Sequence, residues 1–127
     1  MQRLLFVAGL LGIAATAHAG AKFDSPVFVN SLSRFASGDL GTARNSADAS
    51  QSIECYTDAQ TGFPTTGVCI AFDSTSHVGV CVTQSANLLD QIRSVAGDAY
   101  ITFRWDTNSN CTQILVDHAS YTPPKAR

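Results

Sequence analysis

The sequence predicts an α+β, β-rich domain in which an antiparallel sheet carries one helix packed on a face and is stapled by disulfides. Short runs of alternating apolar and polar residues recur from residue 52 onward, one segment follows helical spacing, and four cysteines are present. Alternation with period two is typical of half-buried strands, and apolar residues three and four positions apart are typical of an amphipathic helix. The order of strands, one helix and two further strands indicates that the helix lies against the sheet.

Five segments show the strand pattern, with β-branched or aromatic residues at every second position. They are "SIECYT" from residue 52, "VCIAFD" from residue 68, "VGVCVT" from residue 78, "YITFRWD" from residue 100 and "TQILVDH" from residue 112. A further strand-like run, "PVFVN", begins at Pro26. A strand can begin with proline because its first position needs no ladder donor.

The predicted helix lies in "QSANLLDQIRSVAG", which begins at residue 84. Its apolar residues repeat at helical spacing at Leu88, Ile92 and Val95. Ser85 or Asn87 can cap its start, and Gly97 suits the position just after its end. The stretch "DTNSN", which begins at Asp106, is predicted to be the hairpin turn between the last two strands.

The first 19 residues have the layout of a cleaved secretory signal peptide. Arg3 precedes an apolar run from Leu4 to about Ala15, and a small-x-small triplet ending at Ala19 precedes Gly20. The apolar run is shorter than the ~20 residues that a membrane span requires. The sequence therefore predicts an exported protein, located in the periplasm or outside the cell.

The rest of the chain, residues 20–127, is long enough for one domain with one core. Residues 20–51 are predicted to hold the N-terminal strand and a flexible segment rich in Gly, Ser and Asn, and residues 52–127 are predicted to hold the stapled core. Without Arg3, seven Lys and Arg side chains face ten Asp and Glu side chains, and no basic run is present. A nucleic-acid partner and insertion into a membrane are therefore not expected.

The four cysteines are predicted to form two disulfides, because export carries them into an oxidising compartment. A turn at residues 74–76 places Cys69 opposite Cys81 and aligns the apolar residues of the two strands, so Cys69–Cys81 with Cys55–Cys111 is the preferred pairing. A looser turn between the first two strands places Cys55 opposite Cys69 and is the competing arrangement. The wide spacing of the cysteines argues against zinc, and neither a metal nor another cofactor is expected.

The sequence contains no catalytic signature and only weak candidates for chemistry. They are His118 with its neighbour Asp117, and Asp106, which with Asp117 forms the nearest pair of carboxylates on the last two strands. Neighbouring residues on a strand point to opposite faces, so the side chains of His118 and Asp117 are expected to diverge. A polar and aromatic surface suited to a partner or a sugar is predicted at Tyr100, Arg104 and Tyr121.

The run "ASGDLGTARNSADASQSIECYT", followed by Cys69, Cys81, "AYITFRWD" and Cys111, resembles a group of small exported bacterial proteins with four cysteines. The similarity covers most of residues 20–127, and its markers are "ARNSAD", the cysteine spacing and the last two strands. The resemblance implies an exported protein with this fold, and it transfers no catalytic residue.

These features favour a secreted, non-enzymatic domain that binds an unidentified protein or glycan outside the cytoplasm. The first alternative is a structural subunit of an extracellular filament or envelope layer. The N-terminal strand in "SPVFVNSLSRF" motivates it, because such a strand can add to the sheet of a neighbouring copy and so lead to self-association. The second alternative is a small secreted hydrolase that uses His118.

Overall fold

The computed structural model describes residues 21–124, which form two antiparallel sheets, two short helices and two disulfides. This confirms the predicted α+β, β-rich, disulfide-stapled class. The predicted single sheet is divided into two sheets, however, and a second helix is present. The predicted signal peptide, residues 1–19, lies outside the described residues.

The elements follow one another along the chain without long connections. They are β1 (Phe28–Asn30), β2 (Phe35–Asp39), α1 (Leu40–Asn45), β3 (Ser52–Asp58), β4 (Thr66–Phe72), β5 (Val78–Thr83), α2 (Ala86–Arg93), β6 (Tyr100–Trp105) and β7 (Cys111–Asp117). One sheet has the order β1-β2-β6-β7 and the other the order β3-β4-β5. All five strands and the helix that the pattern predicts are therefore confirmed. Neither helix within residues 21–124 is long and apolar enough to cross a membrane.

The core lies between the two sheets, which pack face to face. From the four-stranded sheet, Ala36, Ile101 and Phe103 are completely buried. From the three-stranded sheet, the inward side carries Cys69 and Ala71, which are also completely buried. Strands β4, β5 and β6 thus contribute every second residue to one shared core, as expected for sheets that pack as a sandwich.

The inward side of β4 and β5 is the side with small residues, not the side with large apolar ones. A Cβ atom on Gly79 would lie 2.8 Å from the Trp105 ring, and a Cβ atom on Gly67 would lie 2.5 Å from Cδ1 of Ile92. Large side chains of β6 and α2 therefore fill the space over these glycines. The valines of β4 and β5, together with Ile70, are consequently left on the outside of the sheet.

The stretch around Gly38 is part of the packed structure, and α1 lies in the same Gly/Ser/Asn-rich segment. Residues 35–39 form β2, whose neighbours in the sheet are β1 and β6. The Asp39 side chain then caps α1 by accepting a hydrogen bond from the N–H of Thr42, at 2.8 Å. Small residues such as Gly38 are typical of loops in composition. Here they allow close packing, because a Cβ on Gly38 would lie 3.0 Å from Cγ2 of Val27.

The disulfides join Cys55 to Cys69 and Cys81 to Cys111. The predicted register is confirmed, because Cys69 lies opposite Cys81 across β4 and β5. The preferred pairing of Cys69 with Cys81 and of Cys55 with Cys111 is wrong, and the competing pairing of Cys55 with Cys69 is the one present. Cys55 also lies opposite Cys69, so that three cysteines form a row across one sheet.

Hydrogen bonding decides which two members of this row are bonded. A residue in a central antiparallel strand forms a hydrogen-bonded pair with one neighbouring strand and a non-hydrogen-bonded pair with the other, where the side chains are closer. Val82 donates its N–H to the carbonyl of Ser109, away from β4, so the adjacent Cys81 directs its own N–H towards β4. Cys69 is therefore in a hydrogen-bonded pair with Cys81 and in the closer kind of pair with Cys55, at a Cα–Cα distance of 4.1 Å. Cys81 is left to bond Cys111 of the other sheet.

Candidate functional site

The most distinctive surface of the molecule is the outer side of the three-stranded sheet, which we call the apolar face. Its large side chains share the outward positions of β4 and β5. They are Val68, Ile70, Phe72, Val78, Val80 and Val82. None of the six belongs to the buried core, and Val78 is 44% exposed.

The register packs these six side chains into one continuous patch. Phe72 lies opposite Val78, Ile70 opposite Val80, and Val68 opposite Val82. The two strands of about six residues cover roughly 10 Å by 20 Å, or about 200 Å². Contiguous exposed apolar patches on monomers rarely exceed a few hundred Å², and the largest of them are often functional.

The margin of the apolar face is acidic on the β3 side. Glu54 lies opposite Ile70, and Asp58 lies opposite Thr66, so that both carboxylates border the apolar residues. Tyr56, which is 46% exposed, lies between them on the same side of the strand. The arrangement is that of an apolar centre beside a partly charged rim, which is the anatomy of protein–protein interfaces.

The turn between β4 and β5 is organised by Asp73. Its buried carboxylate accepts hydrogen bonds from the N–H and hydroxyl of Thr75 and from the N–H of His77, and its Oδ2 lies 2.9 Å from Nδ1 of His77. Burial acts to raise the pKa of Asp73, but the hydrogen bonds from Thr75 and His77 outweigh it and hold the pKa well below its usual value. The recorded hydrogen bonds of His77 stay within the turn, which indicates that the pair stabilises the hairpin.

A cleft of about 510 Å³ separates this turn from β1. Its walls include Val29 of β1 and the exposed side chain of Leu32, with Asp73 and His77 on the opposite side. Nδ1 of His77 also lies 2.9 Å from the Thr75 hydroxyl, which donates to Oδ1 of Asp73. Both contacts hold the ring of His77 within its own turn.

The candidate catalytic residues are not brought together. His118 Nε2 lies 2.9 Å from the carbonyl oxygen of Ser94, whereas Asp117 accepts a hydrogen bond from the Tyr121 hydroxyl. Asp106 forms the turn after β6, where its carboxylate accepts hydrogen bonds from Asn108 and Asn110. Since Asp117 lies opposite Tyr100 at the other end of β6, the two carboxylates are about 20 Å apart. Glycosidases need their two carboxylates within about 5–9.5 Å.

The proposed partner residues Tyr100 and Arg104 lie on the outer side of the other sheet. Arg104 stacks over the ring of Phe35 at 4.7 Å, and Tyr100 lies four residues away beside Asp117. The hydrogen bond from Tyr121 to Asp117, together with the negative charge of Asp117, raises the pKa of the tyrosine hydroxyl. The predicted surface thus separates into a cation–aromatic stack and a tyrosine–carboxylate pair at opposite ends of the strand.

Two further expectations concern metals and the N-terminal strand. Within residues 21–124 no three His, Cys, Asp or Glu side chains are grouped so that they could hold a metal ion. The N-terminal strand β1 pairs with β2 of its own chain. Its hydrogen-bonding capacity towards β2 is therefore already used within the molecule.

For residues 21–124, fold and surface together define a disulfide-braced β-sandwich in which the apolar face of β4 and β5 is uncovered. The sequence did not indicate this face as a surface, because alternation alone shows that a strand has two sides and not which side is covered. Comparison of the chain with protein-family models, with curated protein sequences and with solved structures finds no match.

Proposed function

We propose that the protein is an exported binding domain whose apolar face covers an apolar, basic-rimmed surface of a partner protein outside the cytoplasm. The observation that carries this proposal is the continuous apolar face on β4 and β5. Two disulfides suit an oxidising compartment, in agreement with the expected export into the periplasm or beyond the cell.

The chemistry of the face favours a protein over a glycan as the partner. The six side chains of the apolar face include a single aromatic ring, that of Phe72, whereas sugars are bound by aromatic platforms with polar groups around them. Covering about 200 Å² of apolar surface contributes about 5 kcal/mol. Since association costs a comparable amount, the partner needs additional contacts, and basic residues opposite Glu54 and Asp58 provide them.

The test is capture from the secreted and envelope fractions with matched variants of the purified protein. Val80→Lys places a charge at the centre of the apolar face, and Leu115→Lys replaces an aliphatic side chain of similar exposure with the same charge on the outer side of the other sheet. We expect wild-type protein and Leu115→Lys to retain the same partner. Val80→Lys should reduce its retention at least tenfold, since a lysine buried without a counter-charge costs several kcal/mol.

The proposal requires that retention depend on the apolar face. Equal retention by Val80→Lys and wild-type protein would place the binding surface elsewhere, for instance at Tyr100 and Arg104. If the wild-type protein retains no partner protein from either fraction, the proposal is wrong. Because both substitutions are on outward positions, circular dichroism of each variant should match that of the wild type.

A further inference from the structure

The edge strand β3 is one of the two longest edge strands of the sheets. The edge strand β1 has only three residues, and β5 is contacted at Val82 by the turn before β7. The edge strand β7 is contacted by α2, and β3 is contacted by α1 and α2, neither of which forms a backbone hydrogen bond with it. The strand β3 contains no proline, lysine or bulge, and its charged residues are Glu54 and Asp58.

The outward edge of β3 carries unused backbone groups. Cys55 and Cys69 are a non-hydrogen-bonded pair, as their Cα–Cα distance of 4.1 Å indicates, so the N–H and C=O of Cys55 point away from β4. The same holds for Ile53 and Thr57, which are two residues to either side. Within residues 21–124, no backbone hydrogen bond outside the strand ladders involves these three residues.

There is open space beside the first half of this edge. A cleft of about 560 Å³ lies between α1 and the start of β3. Its lining includes the apolar side chains of Leu40 and Ile53, the cation Arg44 and the carboxylate of Asp48. An extended chain placed along β3 would enter this cleft.

We infer that a second copy of this chain pairs with the molecule through β3, antiparallel and across a two-fold axis at Cys55. In this register Ser52 of one copy lies opposite Asp58 of the other, so all seven residues of the strand overlap. Ile53, Cys55 and Thr57 then meet their counterparts as hydrogen-bonded pairs, which gives about six new hydrogen bonds. This is the β-strand addition by which exposed sheet edges bind other chains.

Charge favours this register over its neighbours. An axis at Cys55 places Glu54 opposite Tyr56 of the second copy, with no two carboxylates facing each other. An axis at Glu54 would bring the two Glu54 side chains together, and an axis at Tyr56 would oppose Glu54 to Asp58. Like charges directly opposite one another destabilise a strand pair. Of these three registers, only the one about Cys55 has no carboxylates directly opposite each other.

The resulting dimer has a continuous six-stranded sheet with the order β5-β4-β3-β3-β4-β5. Both apolar faces lie on the same side of this sheet, so the dimer presents two copies of the surface described above. The inference uses the edge of β3 and not the apolar face, and it stands whether or not the proposed partner is found.

The first experiment is analytical ultracentrifugation of the purified protein over a range of concentrations. We expect a monomer–dimer equilibrium. Thr57→Pro removes an N–H that points away from β4, so the ladder within the sheet is kept. Because of the two-fold axis the dimer loses two hydrogen bonds, one from each copy, and the dissociation constant should rise about thirtyfold. Thr57→Val keeps the N–H and is the control, with an unchanged dissociation constant.

The second experiment tests the register and does not depend on the proline variant. Equal amounts of Glu54→Cys and Tyr56→Cys protein are mixed and oxidised, and the products are mapped under non-reducing conditions. The mixed disulfide should dominate, because residues 54 and 56 face each other as a non-hydrogen-bonded pair. Each variant alone places its new thiols diagonally, too far apart for a bond, and should remain uncrosslinked.

Each result decides the inference. A wild-type protein that stays monomeric at every concentration, a dimer that Thr57→Pro does not weaken, or crosslinks that form equally in the single variants would each overturn it. Val80→Lys lies two strands away from β3 and should leave the dimer unchanged. A loss of partner capture by that variant therefore tests the proposed function and not the dimer.

Discussion

At the residue scale, Asp73 shows how one side chain can organise a whole turn. It is 6% exposed and receives hydrogen bonds from the backbone and side chains of Thr75 and His77. The N–H of Asp73 also donates to the carbonyl of His77, which closes the hairpin. The register of β4 against β5, and with it the alignment of the apolar face, begins at this residue.

We predict that Asp73→Asn lowers the free energy of unfolding by about 1–3 kcal/mol. The amide nitrogen of asparagine cannot accept a hydrogen bond from the His77 ring while the amide oxygen keeps the bonds from Thr75 and from the N–H of His77. The lowered pKa of Asp73 means that its stabilisation is present above the ordinary value of 3.8 and is lost as the pH falls below it. The difference between wild type and variant should therefore shrink in acid. Urea denaturation at neutral pH and near pH 3 measures this.

The control for this variant is Asp98→Asn, which changes the same charge at an exposed position. Its stability should stay within about 0.5 kcal/mol of the wild type. A difference between Asp73→Asn and wild type that persists unchanged into acid would contradict the assigned role of the ionised carboxylate.

At the element scale, the row of three cysteines shows that strand register alone does not determine which cysteines form a disulfide. The sequence predicts correctly that Cys69 lies opposite Cys81, and both belong to the same side of their strands. The bond, however, follows the alternation of hydrogen-bonded and non-hydrogen-bonded pairs. A turn closed by a hydrogen bond between Asp73 and His77 makes every second pair a hydrogen-bonded one, including Cys69 with Cys81. The predicted turn already implied this alternation, which makes Cys55 the better disulfide partner of Cys69.

We predict that cleavage of the unreduced protein before aspartates will reveal the pairing directly. This cleavage places each cysteine on its own peptide, because aspartates separate all four. Mass spectrometry should find residues 48–57 linked to residues 58–72, and residues 73–89 linked to residues 106–116. Detection of residues 58–72 linked to residues 73–89 would contradict the structure.

A second element, α1, depends on close contact with the C-terminal segment. A Cβ atom on Gly41 would collide with the carbonyl oxygen of Pro123, a backbone atom that cannot move as a side chain can. We predict that Gly41→Ala destabilises the protein by about 1–3 kcal/mol. Gly97→Ala is the matched control, since nothing lies within 4 Å of its added Cβ, and its thermal midpoint should stay close to that of the wild type. Equal midpoints for the two variants would show that the contact with Pro123 is not needed.

At the scale of the whole molecule, the two disulfides have different roles. Cys55–Cys69 joins two strands that the ladder already pairs, and Cys81–Cys111 joins one sheet to the other. The inter-sheet bond closes the longer segment, with a sequence separation of 30 against 14. Trp105 lies in the same region, with its ring over Gly79, and reports on the contact between the sheets.

We predict that Cys81→Ser with Cys111→Ser lowers the free energy of unfolding by about 4 kcal/mol. The pair Cys55→Ser with Cys69→Ser should cost about 3 kcal/mol. Urea titration followed by the fluorescence of Trp105, the single tryptophan, measures both. A stability of the Cys81 and Cys111 variant equal to that of the wild type would show that packing alone holds the sheets together.

The sequence by itself determined which segments are strands, where the longer helix lies and how β4 registers against β5, because these features follow from local periodicity and from one short turn. It also indicated that the four cysteines form two disulfides. Only the tertiary structure decided that the strands form two sheets and that Cys81 bonds across them. It alone decided that the valine side of β4 and β5 faces outward, since the large side chains of Trp105 and Ile92 fill the space over Gly79 and Gly67 on the other side. Which face of a strand is covered depends on the elements that pack against it, and alternation within the strand does not identify that face.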